Sequence, residues 1–202
     1  ISGTNFSVSA SEHGSGYWCR PAIKFNSPVY LITVAEVEFF LAEDYAANHE
    51  RVLKALADMG YSGVEAAHYG DGKFYGVSPE QFKADVEAAG LKVVSSHTGH
   101  GLSDEELATG NITEALAWWD EALPAHKAAG MEYVVVPHIG QPNTLKELQV
   151  ICDYFNAVGK KCKDLGMKFG YHNHAFEMEE IEGKIQIEYM LENTDPDLVF
   201  YQ

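Results

Sequence analysis

Basic residues are scarce in this sequence: 14 Lys and Arg stand against 30 Asp and Glu, a formal net charge of −16 over 202 residues. A surface of that sign repels polyphosphate, and with no basic cluster in the chain nucleic acid is not an expected partner. Long apolar runs are missing as well, and no stretch approaches the ~20 apolar residues of a membrane-spanning helix. Cysteine is limited to three residues. Cys152 and Cys162 fall on one predicted helix, where a rise of about 1.5 Å per residue separates them by roughly 15 Å, too far for a bridge within it. No disulfide framework is expected, which leaves the compartment open between cytoplasm and periplasm. Residues 1–16 are polar and Ser/Gly-rich, with neither an initiator Met nor a basic-then-apolar signal pattern, so further sequence upstream is expected. No Gly-rich phosphate fingerprint follows any predicted strand, so a dinucleotide-binding sheet is poorly matched.

What is there suits a folded globular chain. It is 46% hydrophobic and 12% aromatic, free of low-complexity tracts, and long enough for one domain with a sizeable core. Residues 1–27 read as loop, broken by Gly3, Gly14, Gly16 and Pro21. Residues 29–34 (Val-Tyr-Leu-Ile-Thr-Val) form a continuous β-branched and aromatic run, the pattern of a buried strand. Helical spacing follows, with Val37, Phe40 and Leu41 on one face. Either one helix runs on to Met59 or it breaks near residues 46–49.

From Gly60 onward the pattern repeats. Four times an amphipathic helix ends at a glycine and an apolar strand begins at once, at Gly60, Gly90, Gly130 and Gly166. Glycine just past a helix supplies the left-handed cap without a Cβ clash. The helix starts agree: Ser78 precedes Pro79 and Gln81, and Ser103 with Glu106 and Thr144 with Glu147 have capping-box spacing. The last long helix is apolar at Leu145, Leu148, Ile151, Cys152, Phe155, Val158, Cys162 and Leu165, a stripe that would face a sheet. Trp118, Trp119 and Met131 read as packing residues. Alternating strand and helix with short links means a parallel α/β sheet, either doubly wound or a barrel.

Each of these strands is apolar along its length and polar at its C-terminal end. Residues 61–66 carry Glu65. Residues 91–97 end in Ser95-Ser96-His97, with His100 close behind, and residues 131–138 end at His138. Residues 167–174 end in Tyr171-His172-Asn173-His174, with Glu177 just beyond. In parallel α/β folds these ends share one rim, where barrel active sites are built. Imidazole and carboxylate are also the side chains that bind divalent metals and move protons near neutral pH. The loop Tyr69-Gly-Asp-Gly-Lys-Phe-Tyr75 reads equally as a lid or sugar-stacking wall and as a solvated loop anchored by its aromatics.

These motifs have a family resemblance. From about Arg51 to Gln202 the chain is similar to the sugar phosphate isomerase/epimerase family of xylose isomerase-like TIM barrels. The resemblance rests on residues 53–65 (Leu-Lys-Ala-Leu-Ala-Asp-Met-Gly-Tyr-Ser-Gly-Val-Glu), 91–97 (Leu-Lys-Val-Val-Ser-Ser-His), 171–177 (Tyr-His-Asn-His-Ala-Phe-Glu) and 191–202, the third being the most specific. It implies a divalent metal (Mn, Mg, Co or Zn) at the barrel mouth, which polarises a sugar carbonyl and hydroxyl while a carboxylate or histidine moves a proton at the neighbouring carbon. On matching positions it implies Glu177 as metal ligand or acid/base and His174 as a catalytic partner. Glu65, His97, His138, His172 and Asn173 would line a site for a sugar or sugar phosphate.

Two departures shape the remaining expectations. The family's strand after Asp195-Pro196 continues past Gln202 to an acidic ligand, and a full barrel takes about 250 residues. The expectation is therefore an incomplete (β/α)8 TIM-like barrel over residues 47–202, with a metal site unfinished within this chain, no activity alone, and self-association through open sheet edges. Residues 1–46 instead resemble part of SusD-like glycan-binding lipoproteins, which implies a segment of different origin joined near residues 46–50. On that view residues 29–34 stand in for the missing first strand. A non-catalytic carbohydrate-binding fragment is the alternative reading, and a nuclease on the same barrel is disfavoured by the acidic charge.

Overall fold

The computed structural model describes residues 31–33 and 45–202. Six strands, β1 (Leu31–Thr33), β2 (Gly63–Ala66), β5 (Lys92–His97), β6 (Tyr133–Val136), β7 (Lys168–Tyr171) and β10 (Val199–Tyr201), make one sheet in the order β1-β2-β5-β6-β7-β10. Every ladder is parallel. Helices α1 (Tyr45–Asp58), α2 (Pro79–Ala88), α3 (Asp104–Thr109), α4 (Thr113–Ala128), α5 (Leu145–Asp164) and α6 (Gln186–Asn193) are the crossovers. Two hairpins, β3 (Tyr69–Gly70) with β4 (Lys73–Phe74) and β8 (Glu180–Ile181) with β9 (Lys184–Ile185), are added after β2 and β7.

β1 is the strand beside β2, with Ile32 opposite Val64. Part of the run expected to stand in for a first strand thus does so. Apart from β1 and the first residues of α1, the loop expected over residues 1–27, the long-helix alternative and the SusD-like segment lie outside the described residues.

The four helix-to-strand junctions form as their sequence requires. Gly60, Gly90, Gly130 and Gly166 all have φ between 71° and 94°, the left-handed region where a Cβ is costly. At the other ends, the Ser78 and Thr144 side chains accept the backbone N–H three residues on, and Ser103 and Glu106 complete a reciprocal capping box. Gly110, at φ 76°, ends α3 and lets α4 start within the same unit.

Ladder partners share a face, so the register sorts the strands into two sides. Val64, Val134, Phe169 and Val199 face the helices and join the buried core with Trp119, Leu148, Phe155 and Met131. Glu65, Ser95, His97, Tyr133, Val135, Gly170 and Phe200 face the other way. A Cβ at Gly170 would lie 2.4 Å from the Phe200 ring, so a larger residue there would displace that ring. That inner face is strongly concave. β2 and β10 are four steps apart in the sheet, about 19 Å if it were flat. Yet the Glu65 and Gln202 side chains are in hydrogen-bond contact. The sheet is a barrel arc, open among the described residues between β1 and β10.

The β3–β4 hairpin lies on the helix layer. Phe74 is fully buried and stacks on Phe82, and Tyr69 packs on Trp118 and His126. The Tyr75 hydroxyl accepts the Ala67 N–H. Of its two readings the anchored loop is the one observed, since its aromatics are used up in packing. His126 is buried beneath it. Its Nδ1 donates to the Ala122 carbonyl at 2.8 Å, and among the described residues its Nε2 has no hydrogen-bond partner. Burial pushes its pKa down to about 4, so it folds as the neutral ring.

The unfolded chain binds a proton at His126 below its ordinary value of about 6.5, whereas the folded chain does so only near 4. Stability from this residue is therefore complete above about pH 6.5, falls as the pH drops, and is lost by about pH 4. Thermal unfolding between pH 7 and 4 should show a steeper loss of Tm for the native chain than for His126→Leu. Parallel curves would contradict this.

Candidate functional site at the strand ends

The C-terminal ends of β2, β5, β7 and β10 bring together four polar side chains. β2 and β5 slip by one residue, skipping Val94, so that Glu65 pairs with Ser95 rather than Val94. This places Glu65 on the concave face with His97. The Glu65 side chain is 1% exposed, and its Oε1 lies 3.0 Å from His97 Nε2. Gln202, one residue past β10, sends its Nε2 to Glu65 Oε2 at 3.3 Å. Its Oε1 lies 2.9 Å from both His97 Nε2 and His172 Nδ1. Backbone bonds fix the two later groups, since the Gln202 N–H donates to the Tyr171 carbonyl and the His172 N–H to that of Val136.

Gln202 is absent from the residues expected to form the site. The signal was present, because it is a polar residue at the end of an apolar strand and has the parity of Phe200.

A second group sits behind this mouth. Tyr171 is on the helix-facing side of β7, buried against Phe155 and Tyr201. Its hydroxyl donates to Glu177 Oε1, and burial together with that bond holds the phenol well above its ordinary pKa. Glu177 is fully buried and accepts the His174 N–H at Oε2, 2.7 Å away. Its two oxygens are thus engaged by the end of β7 and by the loop that carries the histidines. His174 stacks on Phe176, and the rings of His97, His172, His174 and His138 form a row with centroids 5.0, 5.1 and 5.9 Å apart. Asn173 is half-buried and bonds only the His174 carbonyl among the described residues, whereas His174 is exposed.

Of the expected site residues, then, Glu65, His97 and His172 are knit together. His174 and His138 continue the row at the exposed surface, Asn173 is half-buried, and Glu177 is enclosed beneath the loop. His100 stacks on Trp118, and its carbonyl accepts the Tyr154 hydroxyl. Trp119 and Met131 are core residues, as their pattern implies.

A metal centre needs three or more side chains converging on one point with lone pairs free. Among the described residues no three His, Cys, Asp or Glu side chains do so. The described residues do not make up such a centre, and Glu177 has no oxygen left without a protein partner.

A parallel α/β arc with its polar groups at the strand ends is the architecture of a TIM barrel. The chain belongs to the xylose isomerase-like TIM barrel family, whose sequence model matches residues 53–201. Two crystal structures of sugar phosphate isomerase/epimerases from Parabacteroides distasonis are similar to it. One is 25% identical with a TM-score of 0.70, covering 82% of this chain and 65% of that one. The other is 28% identical with a TM-score of 0.72, covering 85% and 68%. An inosose dehydratase of Geobacillus kaustophilus is 25% identical over 168 residues, 75% of this chain and 51% of that protein. The chain therefore spans about half the length of this curated relative.

The enclosed position of Glu177 has a measurable consequence. Glu177→Leu leaves the buried Tyr171 hydroxyl and His174 N–H without an acceptor, at a cost of about 2–4 kcal/mol in urea unfolding. Adding Tyr171→Phe to that variant should recover part of the loss, because one stranded donor is then gone.

Proposed function

We propose that the mouth binds a sugar or sugar phosphate and moves a proton at the carbon beside its carbonyl, as isomerases and epimerases do. One observation carries this reading: a buried carboxylate, Glu65, is paired at 3.0 Å with an imidazole, His97, at the C-terminal rim of a parallel barrel arc. An imidazole backed by a carboxylate is a competent general base, because the carboxylate stabilises the cation formed when the ring takes a proton. In this reading His97 and His172 exchange the proton. His138, His174 and Asn173 contact the sugar hydroxyls, with Phe176 as an apolar wall. Glu177 holds the loop and does not touch substrate.

A divalent Mn, Mg, Co or Zn ion, if bound, would polarise the carbonyl. The described residues do not complete its ligand set, so no step is assigned to it. Pairing of the outer edges of β1 and β10 with a second copy belongs to the same proposal.

The test is deuterium exchange. The chain is incubated with unphosphorylated and phosphorylated ketoses in D2O, with added metal or with EDTA, and the hydrogen beside the carbonyl is followed by NMR. Full turnover is not expected of this chain alone, but proton wash-in, which needs only the mouth residues, is expected, falling at least about tenfold in Glu65→Gln. Glycan binding that persists in EDTA with no wash-in would mark a carbohydrate-binding module instead. Salt-dependent DNA affinity would mark a nuclease.

A further inference from the structure

The hydrogen bonds of the mouth also determine where its protons sit. An ionised carboxylate offers only acceptors, so the Gln202 atom facing Glu65 Oε2 must be the amide nitrogen. The other end of the amide is then its carbonyl oxygen, which can only accept. Both imidazole nitrogens that touch it must therefore carry hydrogen.

Turning the amide over would set an oxygen against Glu65 Oε2 at 3.3 Å. It would also point N–H groups at His97 Nε2, which would have to accept them. The 3.0 Å contact between that nitrogen and Glu65 Oε1 would then join two acceptors. Both clashes would fall on a carboxylate that is 1% exposed, where water does not relieve them.

We propose that Gln202 is the positioning residue of the mouth: pinned by Glu65, its carboxamide holds His172 as the Nδ1–H tautomer and His97 as the Nε2–H tautomer. His97 shares its one Nε2 hydrogen between Glu65 Oε1 and Gln202 Oε1. His172 Nε2 and His97 Nδ1 are left as the lone-pair nitrogens. Among the described residues neither has a hydrogen-bond partner. These are the two atoms able to take a proton. Glu65 thereby sets the state of His172 through a single amide. The use of these nitrogens on a sugar rests on the functional reading above, while the tautomers themselves do not.

The experiment is a long-range 1H–15N correlation spectrum of the full chain, 15N-labelled in histidine, at neutral pH. His172 should show a protonated Nδ1 and a bare Nε2, and His97 the reverse. In Gln202→Leu both rings should move to averaged tautomers, and in Glu65→Gln His172 should do so because the amide is no longer pinned. Circular dichroism and urea unfolding of each variant confirm the fold, and the wild-type spectrum is decisive even if a variant does not fold.

A proton on His172 Nε2 in the wild type, averaged tautomers there, or unchanged rings in folded Gln202→Leu would overturn the proposal. Tautomers as stated with no sugar exchange would overturn only the functional reading. Exchange with the wrong tautomers would overturn only this one.

Discussion

The structure turns on a contact between two side chains that are far apart in sequence and four strands apart in the sheet, Glu65 and Gln202. A flat sheet would hold those strands about 19 Å from each other. Their meeting requires the curl that turns six parallel strands into a barrel arc and gives the strand ends a concave face. The same contact brings a carboxylate out of water. A buried carboxylate is tolerated only when donors surround it, and here an imidazole and an amide do so. Curvature and proton placement therefore meet at one contact.

Behind the mouth a second buried carboxylate does a different task. Glu177 ties the loop after β7 to the helix side of the sheet through Tyr171 and the His174 N–H. It fixes where the histidine row begins, while Glu65 governs what the nearest members of that row can do. Two glutamates in one small region thus act on opposite sides of the same strands. Membership of the xylose isomerase-like barrels accounts for the architecture, and the hydrogen bonds distinguish the roles within it.

Much of this was legible in the sequence, for local reasons. Glycine ends a helix through its own φ, and serine or threonine begins one through its own hydroxyl, so the four junctions and the caps needed no tertiary information. Position at the strand ends also carries far enough to place Glu65, His97 and His172 on one rim. It fails once the chain leaves the strand. Glu177 lies six residues past Tyr171, beyond a loop whose path nothing local dictates, and it turns back to the helix side. The aromatics after β2 stayed undecided between two readings for a related reason, because whether Tyr69 and Phe74 line a mouth or a core depends on α2 and α4. Gln202 was readable by the rule used for the other strands, but an amide does not stand out as chemistry until its partners are known.

The central claim is that Glu65 and Gln202 form one energetic unit at the mouth. A double-mutant cycle in urea unfolding tests it most directly, using the native chain, Glu65→Leu, Gln202→Leu and the double variant. The account predicts that the double variant loses less stability than the sum of the single losses, by at least about 1 kcal/mol. Losses that add to within about 0.5 kcal/mol would contradict it.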